Sequence, residues 1–202
     1  MPNKIRAIWA HAAYQELKRR KLNASVALDQ AGLSQLAIAD RERWIPFDKE
    51  VLFFEAAAEL SGDDCFGLHL APTIELKTAG LIAYIGLAAK TLDDAIRNLI
   101  HYQHVHNVAM DGALIEGGAH VRLRDTYFQF DLHRYKQREE LDASLALHAT
   151  RWLTQKDISL AEVRFVHTRD KHRDEVERIL GCPVRYGQEY YEIVFHRDDL
   201  SL

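Results

Sequence analysis

The chain has 202 residues, the length of one large domain or two small ones. It carries 26 Lys and Arg against 30 Asp and Glu, and this formal charge of −4 excludes the strongly basic surface typical of a nucleic-acid-binding domain. Hydrophobic residues make up 48% of the chain, enough for a core, so the composition excludes disorder. Only 10 glycines and 4 prolines predict long regular elements, mostly helices.

The first half of the chain has the pattern of helices. Predicted helices lie at about residues 8–21, 25–31, 48–61, 65–71, 78–89 and 92–107. The third begins at Asp48 and is stopped by Gly62, and Thr91 caps the last, in which Asp93 and Asp94 complement the positive helix start.

After residue 107 the pattern changes to alternation with period two. Two strands, GAHVRLRD and YFQFDLH, are predicted to pair through a tight turn near Asp125 and Thr126. One face then holds Val121, Leu123, Phe128, Phe130 and Leu132. The other holds His120, Arg122, Arg124, Tyr127, Gln129, Asp131 and His133.

The rest of the chain alternates helices and strands. A long helix is predicted at about 134–155 and a short one at 172–181, with strands at 160–168, 183–187 and 190–196. The fold class is therefore α+β, with a helical N-terminal half packed on a mainly antiparallel sheet formed by the C-terminal half.

No apolar run is long enough to span a membrane, and the amphipathic N-terminus lacks the uninterrupted apolar centre of a secretion signal. Cys65 and Cys182 form no C-x-x-C pair, and we expect both to be free, buried thiols. We therefore predict a cytoplasmic protein with no membrane partner.

Three stretches occur together in order: IPFDKEVLFFEAAAELSGDDCFGLHLA, GLIAYIGLAAKTLDDAIRNLIHY and VRFVHTRDKHRDEVERILGCPVRYGQEYYEIVFHRDDL. The most specific pieces are Phe66-Gly67-Leu68, Thr91-Leu92, Gly181-Cys182-Pro183-Val184 and Ile193-Val194-Phe195. The set resembles the N-terminal effector-binding, arabinose-binding-like domain of AraC-type transcriptional regulators, over about residues 40–200. Gly67 and Gly181 also suit close approach or a left-handed helix stop.

That resemblance implies a sensor that binds a small intracellular effector and forms a homodimer. It divides the chain into N-terminal helices, 1–40, which we expect to pack on the protein's own core or to form an interface, and a sensor domain, 41–202. Such regulators carry two helix-turn-helix units after the sensor, and the chain ends at Leu202, where they would begin. DNA would be contacted only through that C-terminal domain, absent here. The alternative is a stand-alone dimerisation module without a small-molecule ligand.

Metal binding and catalysis are alternative interpretations of the polar residues. His101, His104 and His106 form the densest histidine cluster, but helical geometry places His106 on the core side and the other two away from it. The acidic pairs are adjacent in sequence, and the chain has no G-x-S-x-G, P-loop or glycine-rich dinucleotide turn. We expect no metal, no cofactor and no enzyme activity.

The sharpest site prediction concerns the start of the long predicted helix. On a helical wheel, Arg134 and Arg138 lead a stripe that continues through Leu141, Leu145, His148 and Trp152. Each cation at a helix start costs roughly 0.3–1 kcal/mol, so helix stability does not explain the arginines, whereas an anionic ligand does. The alternative is that both pair with nearby carboxylates on a solvated surface.

The predicted anionic effector could be a nucleotide second messenger or a small metabolite. Arg134-x-x-x-Arg138 with Asp142-Ala143-Ser144 resembles the R-x-x-x-R and D-x-S motifs by which PilZ-type domains hold cyclic di-GMP, although Leu147 stands where those motifs have glycine. The predicted effector site comprises Arg134, Arg138, Arg122, Arg124, Tyr127, His133, Asp142, Ser144, His148 and Trp152.

Overall fold

The structure is a computed structural model that describes residues 3–128 and 131–202. The N-terminal half contains β1 (Lys4–Arg6), α1 (Ile8–Arg19), α2 (Ala24–Gln30), α3 (Gln35–Ala39), β2 (Trp44–Pro46), α4 (Phe47–Ser61), α5 (Phe66–Leu70), α6 (Leu81–Leu87) and α7 (Leu92–Tyr102). The C-terminal half contains β3 (Met110–Gly117), β4 (His120–Tyr127), α8 (Gln137–Thr154), β5 (Glu162–Arg164), α9 (Arg173–Leu180), β6 (Val184–Arg185) and β7 (Tyr191–His196).

The C-terminal half forms a five-stranded sheet in the order β3-β4-β7-β5-β6. Neighbouring strands of this sheet are antiparallel, except that β5 and β6 run parallel. The α+β class is confirmed, and the sheet is mixed through this one parallel pair. β1 and β2 form a separate two-stranded antiparallel sheet.

Helix α8 lies between the two parts of the core. Leu141 and Leu145 of α8 join an apolar cluster built mainly from α1, α2 and α4. Ala143 and Leu147 join a second cluster, with the inner face of the sheet, α7 and α9. The alternation of apolar residues along the helix therefore places it against helices on one side and against the sheet on the other.

Several local predictions are confirmed. Gly62 ends α4 in the left-handed conformation, and Gly181 does the same for α9. The Thr91 side chain accepts a hydrogen bond from the backbone N–H of Asp94 at the start of α7. Cys65 and Cys182 are free and buried. Among the described residues, no helix is both long and apolar enough to cross a membrane.

The predicted turn at Asp125 and Thr126 is wrong. β4 runs through both residues, and the hairpin closes at Gly118 and Ala119, where Gly118 adopts φ +58°. Glycine tolerates that conformation, so the turn forms there. The sequence does not predict β3, the strand before this turn, because β3 contains Asp111 and two glycines, residue types that are uncommon in strands. The predicted placement of Gln129 and Phe130 lies outside the described residues.

The turn's position changes which face each side chain occupies. Since β4 is continuous, Val121, Leu123, Asp125 and Tyr127 share its inner face, and Tyr127 is not on the face of Arg122 and Arg124 as predicted. The predicted strand does not continue to His133 either, because residues 132–134 form a short 3-10 helix.

The long helix begins three residues later than predicted. The backbone N–H groups of Lys136 and Gln137 donate to Glu55 Oε1 of α4 at 2.7 and 2.8 Å, so a carboxylate distant in sequence caps α8. Arg134 lies in the preceding 3-10 turn, and its predicted place on the stripe with Arg138 is therefore wrong.

Helices α5 and α8 approach so closely that only glycine fits between them. A Cβ at Gly67 would lie 2.1 Å from the carbonyl oxygen of Gln137 and 3.1 Å from the backbone nitrogen of Leu141. The backbone N–H of Gly67 also donates to the Gln137 side chain at 2.9 Å.

We predict that Gly67→Ala lowers the free energy of unfolding by about 1–3 kcal/mol, because the added methyl group must separate two backbones. Gly117→Ala is the matched control, since a Cβ there meets nothing within 4 Å. Urea unfolding followed by circular dichroism measures both, and equal midpoints for the two variants would contradict the prediction.

Candidate functional site

A cavity of about 260 Å³ lies between α6, α7, α8 and the inner face of the sheet. Most of its lining is apolar: Leu76, Ile82, Ala83, Leu92, Ile96, Leu99, Leu145, Ala149, Trp152, Leu153, Ile193 and Phe195. An apolar cavity of about 150 Å³ binds benzene, so this one has room for a ligand of on the order of ten non-hydrogen atoms.

One part of the lining is polar. His106, in the connection between α7 and β3, lines the cavity together with Asp125 of β4 and Tyr191 of β7. Arg138 and Asp142 of α8 line it as well. Asp125 and Tyr191 lie directly opposite each other in the antiparallel pair of β4 and β7, and Asp142 lies one helical turn from Arg138.

Two of these side chains have no hydrogen-bond partner among the described residues. Both ring nitrogens of His106 are buried without one, and so is the hydroxyl of Tyr191. The His106 ring packs edge-on against Trp9, with centroids 5.5 Å apart. Because buried polar groups are nearly always satisfied, unpartnered ones that line a cavity suggest a missing ligand or water.

The charged residues of the cavity are already paired. Arg138 is fully buried, donates from Nε to Glu50 Oε2 at 3.1 Å and forms an ion pair with Asp142 one turn along α8. The Tyr127 hydroxyl donates to the other oxygen of Asp142 at 2.9 Å. Carboxylates thus outnumber the one guanidinium in this cluster.

Burial changes the protonation of the acidic and imidazole groups. It raises the pKa of Asp125 to about 8, helped by the negative charge of Asp142, and raises the pKa of Glu50 to about 7 against the attraction of Arg138. Burial lowers the pKa of His106 to about 3, and the positive charges of Arg138 and Arg6 act in the same direction. At neutral pH, His106 is an uncharged imidazole and Asp125 is mostly an uncharged acid.

The structure distributes the predicted site residues over several places. Arg138, Asp142 and Trp152 line the cavity, and Tyr127 reaches it through its bond to Asp142. Ser144 donates to the carbonyl oxygen of Leu68 at 3.0 Å. His148 is half-buried outside the cavity lining.

The remaining four residues lie elsewhere. Arg122 and Arg124 are on the outer face of the sheet, where Arg124 Nη2 lies 2.6 Å from Glu192. His133 and Arg134 are exposed, and His133 pairs with Asp131 at 2.5 Å.

Sequence reasoning missed His106, Asp125 and Tyr191 as members of a site. A signal existed for His106, which helical geometry placed on the core side. The sequence predicts Asp125 in a turn, and it predicts Tyr191 as a strand residue with no further role. Of the histidine cluster, His101 and His104 are exposed, and the described residues contain no group of three that could hold a metal ion.

Comparison with known sequences decides the family. The family described as the N-terminal arabinose-binding domain of AraC transcription regulators matches residues 22–202. The chain belongs to this family. No curated protein matches the chain.

A solved structure supports the fold of this arabinose-binding-type domain. The crystal structure of transcriptional regulator CdpR from Pseudomonas aeruginosa matches with a TM-score of 0.55 and 16% sequence identity, over 67% of this chain and 44% of the regulator's chain. At this identity the likeness concerns the fold, and the matched region is less than half of that regulator.

We predict that Arg138→Leu lowers the free energy of unfolding by roughly 3–5 kcal/mol, because Glu50 and Asp142 lose the cation that compensates them inside the protein. Arg134→Leu, a matched change at an exposed position, should cost less than about 0.5 kcal/mol. Denaturant unfolding compares the two, and similar losses would show that Arg138 is not the buried pairing centre.

A second prediction concerns pH. The folded-state pKa of Asp125, about 8, is above the unfolded value of about 3.9, so the folded chain keeps a proton that the unfolded chain releases between these values. The stability of the wild type relative to Asp125→Asn should therefore fall as pH rises from about 4 to about 8, by at most about 1.4 kcal/mol per pH unit.

Urea unfolding at four pH values measures this difference, in which the titration of His106 cancels because both proteins contain it. Asp157→Asn is the control, since the Asp157 side chain is 90% exposed. A difference between wild type and Asp125→Asn that stays constant with pH would show that Asp125 is ionised in the folded protein.

Proposed function

We propose that this domain senses a small-molecule effector in the cavity between α6, α7, α8 and the sheet, and that the bound state controls DNA binding by another domain of the regulator. The observation that carries the proposal is the combination, in one cavity, of an extended apolar wall with buried polar groups that have no hydrogen-bond partner among the described residues. The family supports a regulatory binding role for the domain.

Sensing requires that the effector bind one conformation more tightly than another. The cavity walls come from separate elements: Ile82 and Ala83 of α6, Leu99 of α7 and Ala149 of α8. A ligand that fills the space adds contacts to all three helices, and it therefore favours the arrangement in which they lie close together. We propose that this arrangement is what the rest of the regulator reads.

The lining supports a less charged effector than cyclic di-GMP, which carries two phosphates. Arg138 is the only cation of the cavity lining among the described residues, and it already faces Glu50 and Asp142. An anion bound at Arg138 would have to displace one of these carboxylates. The exposed Arg134 and His133 remain a proposal for a separate anion contact.

A dimerisation role has its own supporting observation. Leu81, Tyr84 and Leu87 of α6 are 56%, 67% and 49% exposed, on the same helix that contributes Ile82 and Ala83 to the cavity. An exposed apolar face of this kind suits contact with a second copy of the chain. Sedimentation of wild type and Tyr84→Glu distinguishes the cases, since a monomeric wild type would remove this proposal.

We predict that Ala149→Phe, which fills the cavity from α8, weakens the binding of effectors at least tenfold. The screen records thermal shifts of the wild-type chain with a metabolite library and then measures the affinity of each hit by calorimetry. Ala88→Phe adds the same ring at an exposed position that follows α6, and it should leave affinity unchanged.

Hits that bind Ala149→Phe as tightly as wild type would place effector binding outside the cavity. Such hits are then measured on Arg134→Ala, so that the proposed anion contact at the surface is decided by the same series.

A further inference from the structure

The polar part of the cavity offers hydrogen bonds that no other group in residues 3–128 and 131–202 uses. The His106 side chain has one nitrogen that donates and one that accepts when the ring is neutral, and the Tyr191 hydroxyl can do either. All three atoms are buried and have no partner in the parts of the chain that the structure describes. Both residues line the same cavity as the apolar side chains of α6, α7 and α8.

Leaving such groups unsatisfied costs free energy, so a ligand atom that bonds to them recovers free energy that an apolar ligand cannot. The same reasoning gives selectivity. A site built to bond a hydroxyl or carbonyl rejects an analogue without it, because its own polar groups then stay unpaired.

The charges around these atoms disfavour a charged ligand of either sign. An anion would enter beside Glu50 and Asp142, whose carboxylates already surround Arg138. A cation would face the guanidinium of Arg138, which already pairs with those two carboxylates, and the remaining carboxyl group of the lining, Asp125, would have to release its proton before it could act as a counterion. A charge transferred from water into this cavity would therefore lose hydration without meeting a counterion that is already in place.

We infer that the cavity selects effectors with a compact apolar body and one uncharged oxygen, a hydroxyl or a carbonyl, which bonds to His106 and Tyr191. Asp125 lines the same cavity directly opposite Tyr191 in the pairing of β4 with β7 and, while it keeps its proton, can donate a third hydrogen bond. This inference rests on the proposed function, because it names the class of ligand for the same cavity. The lining that supports it comes from α1, α6, α7, α8, β4 and β7, so sequence alone could not assemble it.

The test uses four probes with the same eight-carbon chain: octan-1-ol, 2-octanone, octanoate and octylammonium. Their affinities for the wild-type chain are measured at pH 7 by calorimetry and by the fluorescence of Trp9 and Trp152, which both line the cavity. We expect the alcohol or the ketone to bind at least tenfold more tightly than either charged probe. Equal or tighter binding of octanoate or octylammonium overturns the inference.

Two pairs of variants connect the selectivity to named atoms. Tyr191→Phe and His106→Leu should each reduce the preference for the uncharged oxygen about tenfold, and neither removes a hydrogen bond that holds the fold, since the deleted atoms have no partner. Tyr190→Phe and His104→Leu are the matched controls: Tyr190 lies under Arg124 on the outer face of the sheet, and His104 is exposed. Both controls should keep the wild-type preference.

An unchanged preference in Tyr191→Phe and His106→Leu overturns the inference even if the alcohol binds. Failure of both uncharged probes to bind the wild type also overturns it. That outcome leaves the proposed function to be decided by the metabolite screen, in which Ala149→Phe tests the cavity itself without reference to any head group.

Discussion

The ion pair between Arg138 and Glu50 fixes the position of α8, on which both the core and the cavity depend. The guanidinium is buried and joins α8 to α4, and its second partner, Asp142, is held in turn by the hydroxyl of Tyr127 at the end of β4. One buried cation therefore ties together a helix of the N-terminal half, the central helix and the sheet. Buried charges are stable only when they are paired, so this arrangement allows little freedom in how the three elements meet.

The opposite side of the same helical turn is anchored by a second buried network. Glu139 Oε2 lies 2.9 Å from Nδ1 of His167, and Glu140 accepts two hydrogen bonds from Arg169. Although burial opposes the charged imidazole, hydrogen bonds to Glu139 and Glu140 raise the pKa of His167. These contacts hold the segment between β5 and α9 against α8.

The two networks place contacts with the cavity and contacts with the segment between β5 and α9 on one helix, α8. In the first turns of α8, Arg138 and Asp142 line the cavity. Glu139 and Glu140 of the same turns contact His167 and Arg169 on the other side. A displacement of α8 at the cavity would therefore also change contacts at the other side of the domain. Packed interiors transmit such displacements because they contain few voids that could absorb them.

The sequence by itself determined the features that depend on neighbouring residues. The α+β class, the ends of α4 and α9 at Gly62 and Gly181, and the Thr91 cap were predicted because each follows from local periodicity or from backbone preferences. The resemblance to the arabinose-binding family came from short ordered motifs, and the family match confirms it.

Only the tertiary structure decided how the polar residues were used. The sequence predicts Arg138 in an effector site, and only the structure shows that Glu50, 88 positions away in the chain, pairs with its guanidinium. The sequence predicts Asp125 in a turn, whereas the turn forms at Gly118. Asp125 therefore lies within β4, on the inner face of the sheet. Pairing between distant charges and the register of a hairpin depend on which elements meet in space, and a pattern read along one segment contains no information about its partner.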